Sequence, residues 1–401
     1  MDETLKIGVI GGGAAGVFSA LSVAKHHPKS QVEILEKTSK LLSKVRISGG
    51  GRCNVTNACF IKSQFAKNYP RGGKQLKKAF DQFSSEDTVQ WFESRGVKLK
   101  AEADNRMFPV TDSSSTIIDC LMREVEKNGV VIRTGRAIKE IKPVDGGVML
   151  DGIRYEKVII ATGGSPKLSG FDWLNRLGHS INPPVPSLFT FNIPHNSIKR
   201  LMGVVVQDAN VRIQGSKLSY RGPVLVTHWG LSGPAVLKLS AWGARLLEEC
   251  GYEFKIQVNW TQASSEEEVH GVIDYVMGEI RKKKIVNACP FDLPKKFWCY
   301  LLEKVGVDPD SQWLELCKKS RNKLVNVLFN DVYEVKGKTT FKEEFVTCGG
   351  VSLSEVDFKT MQSRVCKNLY FAGEVLDVDG ITGGFNFQAA WTTGFISGKL
   401  G

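Results

Sequence analysis

The chain has 401 residues, of which 24% are charged and 42% hydrophobic, and it carries a formal net charge of +12. That length supports two or three domains, and that composition is the one ordinary globular proteins have, which excludes long disordered segments. No stretch reaches the roughly 18 uninterrupted apolar residues of a membrane span and no basic leader precedes LKIGVI, so a cytoplasmic protein without a membrane span is expected.

In chain order, Leu5 to Ile10 predicts a buried strand, Ala14 to His26 has the apolar period of a helix, and Gln31 to Glu36 predicts a second strand. Gly11, Gly13 and Gly16 place G-x-G-x-x-G at the first turn of this βαβ opening. Gly11 permits the tight turn, Gly13 lets the backbone approach a pyrophosphate, and Gly16 lets the helix pack on the sheet. The helix start at Ala14 and Ala15 offers amides and partial positive charge to phosphates. Glu36 ends the second strand where a ribose hydroxyl would bond, and it would repel a 2′-phosphate. With Lys37 beside it, the loop calls for an adenine dinucleotide without that phosphate, FAD or NAD.

Lys44 and Arg46 flank a glycine loop and are placed to neutralise the pyrophosphate. Six basic residues and no acidic one lie between Lys62 and Lys78. A solvated, partly helical face is preferred there over a nucleic-acid contact, because no aromatic interleaving or nucleic-acid motif accompanies the run. Arg106 is expected on a loop, as a candidate for binding an anionic substrate group, and Asp112 as the N-cap of a helix over Ser113 to Asn128 closed by Gly129.

The runs VVIR, GVML, IRY and KVIIA predict short strands, with turns at Asp145-Gly146 and Asp151-Gly152. The strand-then-glycine turn VIIATGG brings Ala161, Thr162 and Gly163, together with Ala137, to the adenosine side. The stretch NPPVP at 182–186 predicts a domain boundary. Beyond it the chain reads β-rich to about 261 and mainly helical from 262 to 330. In THWGLSGP, His228 is a candidate for proton transfer, weighed against a structural hydrogen-bonding role. Gly349 and Gly350 in TCGGV would let backbone lie close to a ring or substrate, while Cys348 reads as a packed small residue. Nine scattered cysteines without zinc-ligand spacing are expected to be reduced, with no metal.

The chain then returns to a second glycine-rich segment, NLYFAGEVLDVDGITGGFNFQAAWTTGFISG, at 368–398. Leu369 to Ala372 predicts a strand, Glu374 follows it, and Phe385 to Ser397 predicts a helix behind Gly380, Gly383 and Gly384. The acid can hold a sugar-alcohol hydroxyl, and the helix start can face the pyrimidine edge of a flavin. A cofactor that needs sites at opposite ends of the sequence is FAD. No second G-x-G-x-x-G occurs in the insert, so NADH or NADPH as electron donor would dock transiently.

The stretches KVRISGGGRCNVTN (44–57), RMFPVTDSSS (106–115), VTHWGLSGPAVLKLSA (226–241) and VTCGGVSLSEVDFKTMQS with NLYFAGEVLDVDGITGGFNFQAAWTTG (346–394) resemble a family of bacterial NAD(P)/FAD-dependent oxidoreductases. That family includes BaiN-like, bile-acid-reductase-like and aminoacetone-oxidase-like members, and the resemblance spans essentially the whole chain. It implies an α/β fold: a Rossmann-like FAD-binding domain from 1–186 and 345–401, a β-barrel-like insert at 187–261 and 331–344, and a helical subdomain at 262–330. It further implies that Arg46, Ser48, Gly51, Arg52, Cys53 and Asn54 line FAD in an extended loop. By the same resemblance Gly373, Glu374, Gly384, Phe385, Asn386 and Phe387 approach its ribityl and ring portions. The implied chemistry is hydride or electron transfer between flavin and a small or medium organic substrate, by nicotinamide-driven reduction of an unsaturated bond or by amine oxidation with oxygen. A flavin-dependent tRNA-modifying enzyme, touching RNA through the basic run, is the competing class. Substrate, NADH versus NADPH, and oligomeric state stay open.

Overall fold

A computed structural model describes residues 5–340 and 346–401. The chain divides into two compact units, Met1–Ser187 with Lys342–Gly401, and Leu188–Phe341. The seam expected at 344/345 lies outside the described residues.

In the first unit the opening pattern folds as β1 (Lys6–Ile10), α1 (Ala14–His26) and β2 (Gln31–Leu35). It continues with α2 (Ser114–Lys127), β3 (Val131–Arg133), β4 (Lys157–Ile160), β5 (Leu369–Phe371) and α3 (Phe385–Ser397). These strands run parallel in the order β5-β4-β1-β2-β3, with Gln362–Ser363 and Val356–Asp357 added antiparallel outside β5. Near-continuous burial along β1 and β4 is what a sheet covered on both faces imposes. Ile10 lies opposite both Leu35 and Ile160, and Ile160 opposite Phe371, so the carboxyl ends of four strands align. Ligands of open α/β sheets bind at such ends.

Helices from opposite ends of the sequence meet on this sheet. A Cβ on Gly394 would stand 2.8 Å from the carbonyl oxygen of Ala15 and one on Gly398 2.4 Å from Cβ of Ser22, so α1 and α3 touch nearly backbone to backbone. Ser22 Oγ donates to the Phe395 carbonyl at 2.6 Å, and the Ser19 and Ser397 hydroxyls are 3.0 Å apart.

The proline-rich stretch does adjoin the division between the units, at Ser187, and two other local expectations change. It forms the strand Ile181–Ser187, antiparallel to Val346–Val351, with its register shifted between Asn182 and Val185. Such an irregularity is where a strand tolerates residues without an N–H. Asp112 does not cap α2: Ser113 does, its Oγ accepting from the Ser115 amide, while Asp112 adopts φ +51 and pairs with Lys100. Arg106 begins a strand, Arg106–Pro109, that pairs with Leu99–Ala101 and Thr56–Asn57, and does not sit on a loop.

The second unit holds a seven-stranded antiparallel sheet, in the order Asp331–Lys336, Glu253–Asn259, Val205–Ile213, Ser219–Val226, Gly230–Ser232, Thr190–Asn192, Lys338–Thr339. Helices Glu266–Glu279, Lys295–Val305 and Lys318–Phe329 share a core with it that includes Trp260, Phe297, Trp298, Trp313 and Tyr333. Within the stretch read as β-rich, Pro234–Trp242 is a helix, started by proline in the first turn, where its missing N–H costs nothing. Among the described residues no helix is long and apolar enough to cross a membrane.

Candidate functional site

Backbone builds the N-terminal end of the site. The Gly11 amide bonds to the Leu35 carbonyl at 2.9 Å and the Gly12 amide to the Glu36 carboxylate at 2.8 Å, which turns the chain sharply beneath α1. A Cβ on Gly16 would lie 1.9 Å from the Gly11 carbonyl oxygen, so only glycine fits. At Gly13, by contrast, a Cβ would meet nothing within 4 Å, and no side chain caps α1. The space before the first amides is therefore open, as a pyrophosphate requires. Glu36 accepts from Gly12 N, Thr38 N and Thr38 Oγ1, all at 2.8 Å. Because a carboxylate has about four acceptor positions, one is left for a ribose hydroxyl.

A cavity of about 300 Å³ opens beside this turn. Gly11, Glu36, Lys37, Ala137, Thr162 and Gly163, all expected at the nucleotide, line it together. Ala161 stands just behind, its carbonyl oxygen 2.4 Å from where a Gly11 Cβ would be. Arg136, Ile138, Phe171 and Trp173 also line the cavity and were not foreseen. Trp173 is fixed by its indole N–H donating to the Gly170 carbonyl at 3.0 Å. Volume and donors fit the adenosine half of a dinucleotide.

Side chains build the other end. Gly384 precedes α3 without a side-chain cap, and its amide is accepted by Asn54 at 2.8 Å, with Asn54 donating to the Thr56 carbonyl at 3.0 Å. Asn386 braces the preceding loop, accepting from the Gly380 amide at 2.8 Å and donating to the Gly380 carbonyl at 2.9 Å. Phe385 is buried against Phe65 and Tyr69, and the Tyr69 hydroxyl donates to its carbonyl at 2.6 Å. Phe387 stacks on Trp391. Asp379 is fully buried and forms a two-pronged ion pair with Arg71, Nε to Oδ1 at 2.6 Å, while Ser187 Oγ donates at 2.8 Å. Burial raises the Asp379 carboxyl above its ordinary range, and Arg71 and Ser187 oppose the rise. Nothing in the basic run singled out Arg71 for this task, and its partner lies 308 residues away.

Over residues 5–400 the sequence matches the family described as HI0933-like protein Rossmann domain. The chain belongs to this family. It is 28% identical to the 3-dehydro-bile acid delta(4,6)-reductase of Clostridium scindens over 98% of each chain. It is also 28% identical to the ribosomal RNA dihydrouridine synthase of Escherichia coli, over 96% of this chain and 95% of the other. Among solved structures, the 3-ketosteroid delta1-dehydrogenase from Sterolibacterium denitrificans matches in fold with a TM-score of 0.51 at 11% identity, over 99% of both chains. This HI0933-like chain is an FAD-dependent oxidoreductase.

The remaining residues take varied places in the HI0933-like site. Ser43–Gly51 is not an extended loop but a helical turn, anchored by buried Val45 and broken at Ser48, Gly49 and Gly50. Arg46 is exposed and has no ion pair among the described residues, whereas Lys44 reaches the Glu374 carboxylate at 2.6 Å. Glu374 also accepts the Thr347 amide at 2.9 Å, and the buried Thr347 hydroxyl beside it has no hydrogen-bond partner. Arg52 pairs with Glu102 at 2.6 Å over the face of Phe108, and Arg106 pairs with Glu102 and Asp104, so both guanidinium groups are already matched by carboxylates. Burial pushes the Cys53 thiol up to about 12, against a hydrogen bond from Ser48, which keeps it protonated. Gly349 and Gly350 do provide close approach, but to backbone: added Cβ atoms would lie 2.5 Å from the carbonyl oxygens of Pro183 and Val375. Gly373 packs over Ala15. In the other unit His228 sits exposed in the turn after Ser219–Val226, its ring 4.6 Å from that of Trp229.

Proposed function

We propose that the enzyme uses NADH or NADPH to reduce a carbon–carbon double bond conjugated to a carbonyl. The observation that carries this reading is the joining of two glycine-rich helix starts, at Gly13 and Gly384, over one sheet by the α1–α3 contact. The names of the two curated relatives, a delta(4,6)-reductase and a dihydrouridine synthase, agree with addition of two hydrogens. Bound FAD supplies hydride transfer. The chain's residues bind and orient it: open amides of α1 and the Arg46 cation at the pyrophosphate, Glu36 at the ribose, and the braced loop 380–386 at the ring. Reduction delivers hydride to the carbon β to the carbonyl and a proton to the α carbon, with the nicotinamide as the spent reductant. Solvent water is the source of that proton.

The test is anaerobic addition of NADH or NADPH to the yellow holoprotein. Rapid bleaching of the visible flavin band, and its return when a conjugated enone is added, is expected. A band that persists with both donors while an amine bleaches it would replace reduction by amine oxidation.

A further inference from the structure

Electrons must reach the flavin from outside the chain, and the sequence holds no second G-x-G-x-x-G to seat their donor. Beside the loop at 380–386 lies a basic surface that the reaction just described leaves unused. From Phe60 to Phe80 the sequence has six basic residues and no acidic one, and the fold divides them. Lys62 pairs with Asp81 at 3.0 Å, and Arg71 is held by Asp379. Lys67, Lys74, Lys77 and Lys78 are exposed, with no carboxylate at ion-pair distance among the described residues. On the helix Gly73–Ala79, Lys74, Lys77 and Lys78 stand at i, i+3 and i+4 and so share one face, while Leu76 and Ala79 are buried on the other.

An apolar pair adjoins these cations. Phe60 and Ile61, directly before Lys62, are 48% and 57% exposed. The Ile61 carbonyl accepts from the Gln64 amide at 2.9 Å at the start of the helix Lys62–Ala66, and that helix turns Phe65 and Ala66 inward. Single exposed apolar residues are ordinary, but a neighbouring aromatic and aliphatic pair beside four unpaired lysines has the composition of an apolar interface centre with a charged rim.

Both parts are fastened to the loop proposed above to meet the ring. Asn57 Nδ2 donates to the Gly383 carbonyl at 3.1 Å, and Asn57 Oδ1 accepts the Cys59 amide at 3.1 Å. Three Cα steps of about 3.8 Å then keep Phe60 within about 11 Å of Asn57. On the lysine side the Asn68 carbonyl accepts from the Ile381 amide at 2.9 Å, and the Tyr69 hydroxyl donates to the Phe385 carbonyl at 2.6 Å. A partner seated on the apolar pair is thus joined to the ring-side loop by a short bonded path.

We propose that this surface docks a small acidic electron-carrier protein, which reduces the bound flavin by a route beside that of the nicotinamide. The proposal rests on the reductase reading above for the fate of the electrons. Two carriers each give one electron and water supplies two protons, so the flavin gains the pair that leaves as hydride and proton, and both carriers depart oxidised. Redox encounters of this kind bury less than about 1,200 Å² and rely on opposite charge to speed the meeting of the partners. A nucleic-acid backbone would use the lysines but leave Ile61, which has no ring to stack, without a role. A membrane surface fits less well, because both helices bury their apolar residues and present no apolar stripe to insert.

The test is anaerobic stopped-flow mixing of the yellow holoprotein with reduced plant-type ferredoxin, a small acidic iron–sulfur protein, over a salt series. The visible flavin band should bleach at a second-order rate that falls about 10-fold or more between low salt and about 0.5 M. Lys74→Glu, Lys77→Glu and Lys78→Glu together should slow bleaching by on the order of 100-fold at low salt. Phe60→Ser should slow it even at high salt, where steering is screened. Photoreduction with deazaflavin should be unchanged in each variant and reports an intact flavin site. A rate unaltered by the three lysine substitutions or by salt overturns the surface, as does lysine-dependent retention of single-stranded RNA or of phosphatidylserine vesicles with carrier reduction unaltered. Bleaching by NADPH and turnover of a conjugated enone, without bleaching by ferredoxin, overturns the carrier and leaves the reductase reading standing. Lysine-dependent bleaching by ferredoxin, with no return of the band on adding the enone, overturns that reading and leaves the surface standing.

Discussion

At the N-terminal end of the cleft the chain is shaped by what it lacks, Cβ atoms at Gly11 and Gly16 and any cap on α1. At the end proposed to hold the flavin ring it is shaped by side chains reaching across the sequence: Arg71 to Asp379, Tyr69 to Phe385, Asn54 to Gly384. The first end is open at Gly13 and has room for an added group there, while the second is a closed network in which each member satisfies another. Cofactor binding and fold stability should therefore separate at one end and be inseparable at the other.

The strongest test of that separation is Gly13→Asp. A carboxylate there should weaken FAD binding by on the order of 100-fold or more, because in the proposed binding mode it would face the pyrophosphate. The same residue is a good N-cap, so thermal stability of the apoprotein should hold or rise slightly. Loss of stability together with flavin would break the comparison. Arg71→Gln should do the opposite, costing about 3–5 kcal/mol by leaving Asp379 buried and unpaired. Adding Asp379→Asn to it should recover part of the loss in a denaturant titration, and no recovery would mean that the ion pair is not the fastener. Asn386→Ala removes two hydrogen bonds to Gly380 and should cost about 1–3 kcal/mol, with a matching change in the visible flavin spectrum as the loop loosens.

The smallest effect concerns pH. His179 is buried on the sheet's outer edge, 3.4 Å from Glu355 and edge-on to Phe371, and burial lowers its pKa from 6.5. The unfolded chain takes up a proton first as pH falls, so this contribution is complete above about pH 6.5 and lost as pH drops towards the lowered value. Melting curves of wild type and His179→Gln should differ in acid slope over that window and run parallel above it.

What could be read from the sequence follows the same division. The βαβ opening, α1 and α3 were legible because apolar period and glycine spacing are local, and so were the residues that gather round the cavity. Arg71 was illegible because one arginine among six basic residues carries no mark of a partner 308 positions on. Asp112 was misplaced because Ser113 beside it caps equally well by composition, and only the positive φ of Asp112 separates them. The strand Ile181–Ser187 was hidden by prolines that ordinarily forbid strands, and its partner, Val346–Val351, lies beyond the whole second unit. Trp173 followed no motif at all.

The near backbone-to-backbone contact of α1 with α3 has a consequence for how the protein is made. In a growing chain α1 emerges early, while the helix that covers its glycine-facing stripe is synthesised more than 300 residues later, on the order of tens of seconds at ordinary elongation rates. Through that interval the nascent nucleotide unit lacks both its outer strand β5 and the ring-side loop. Stable capture of the flavin is thus a late event, and a ribosome that stalls within the second unit leaves a product that cannot turn yellow.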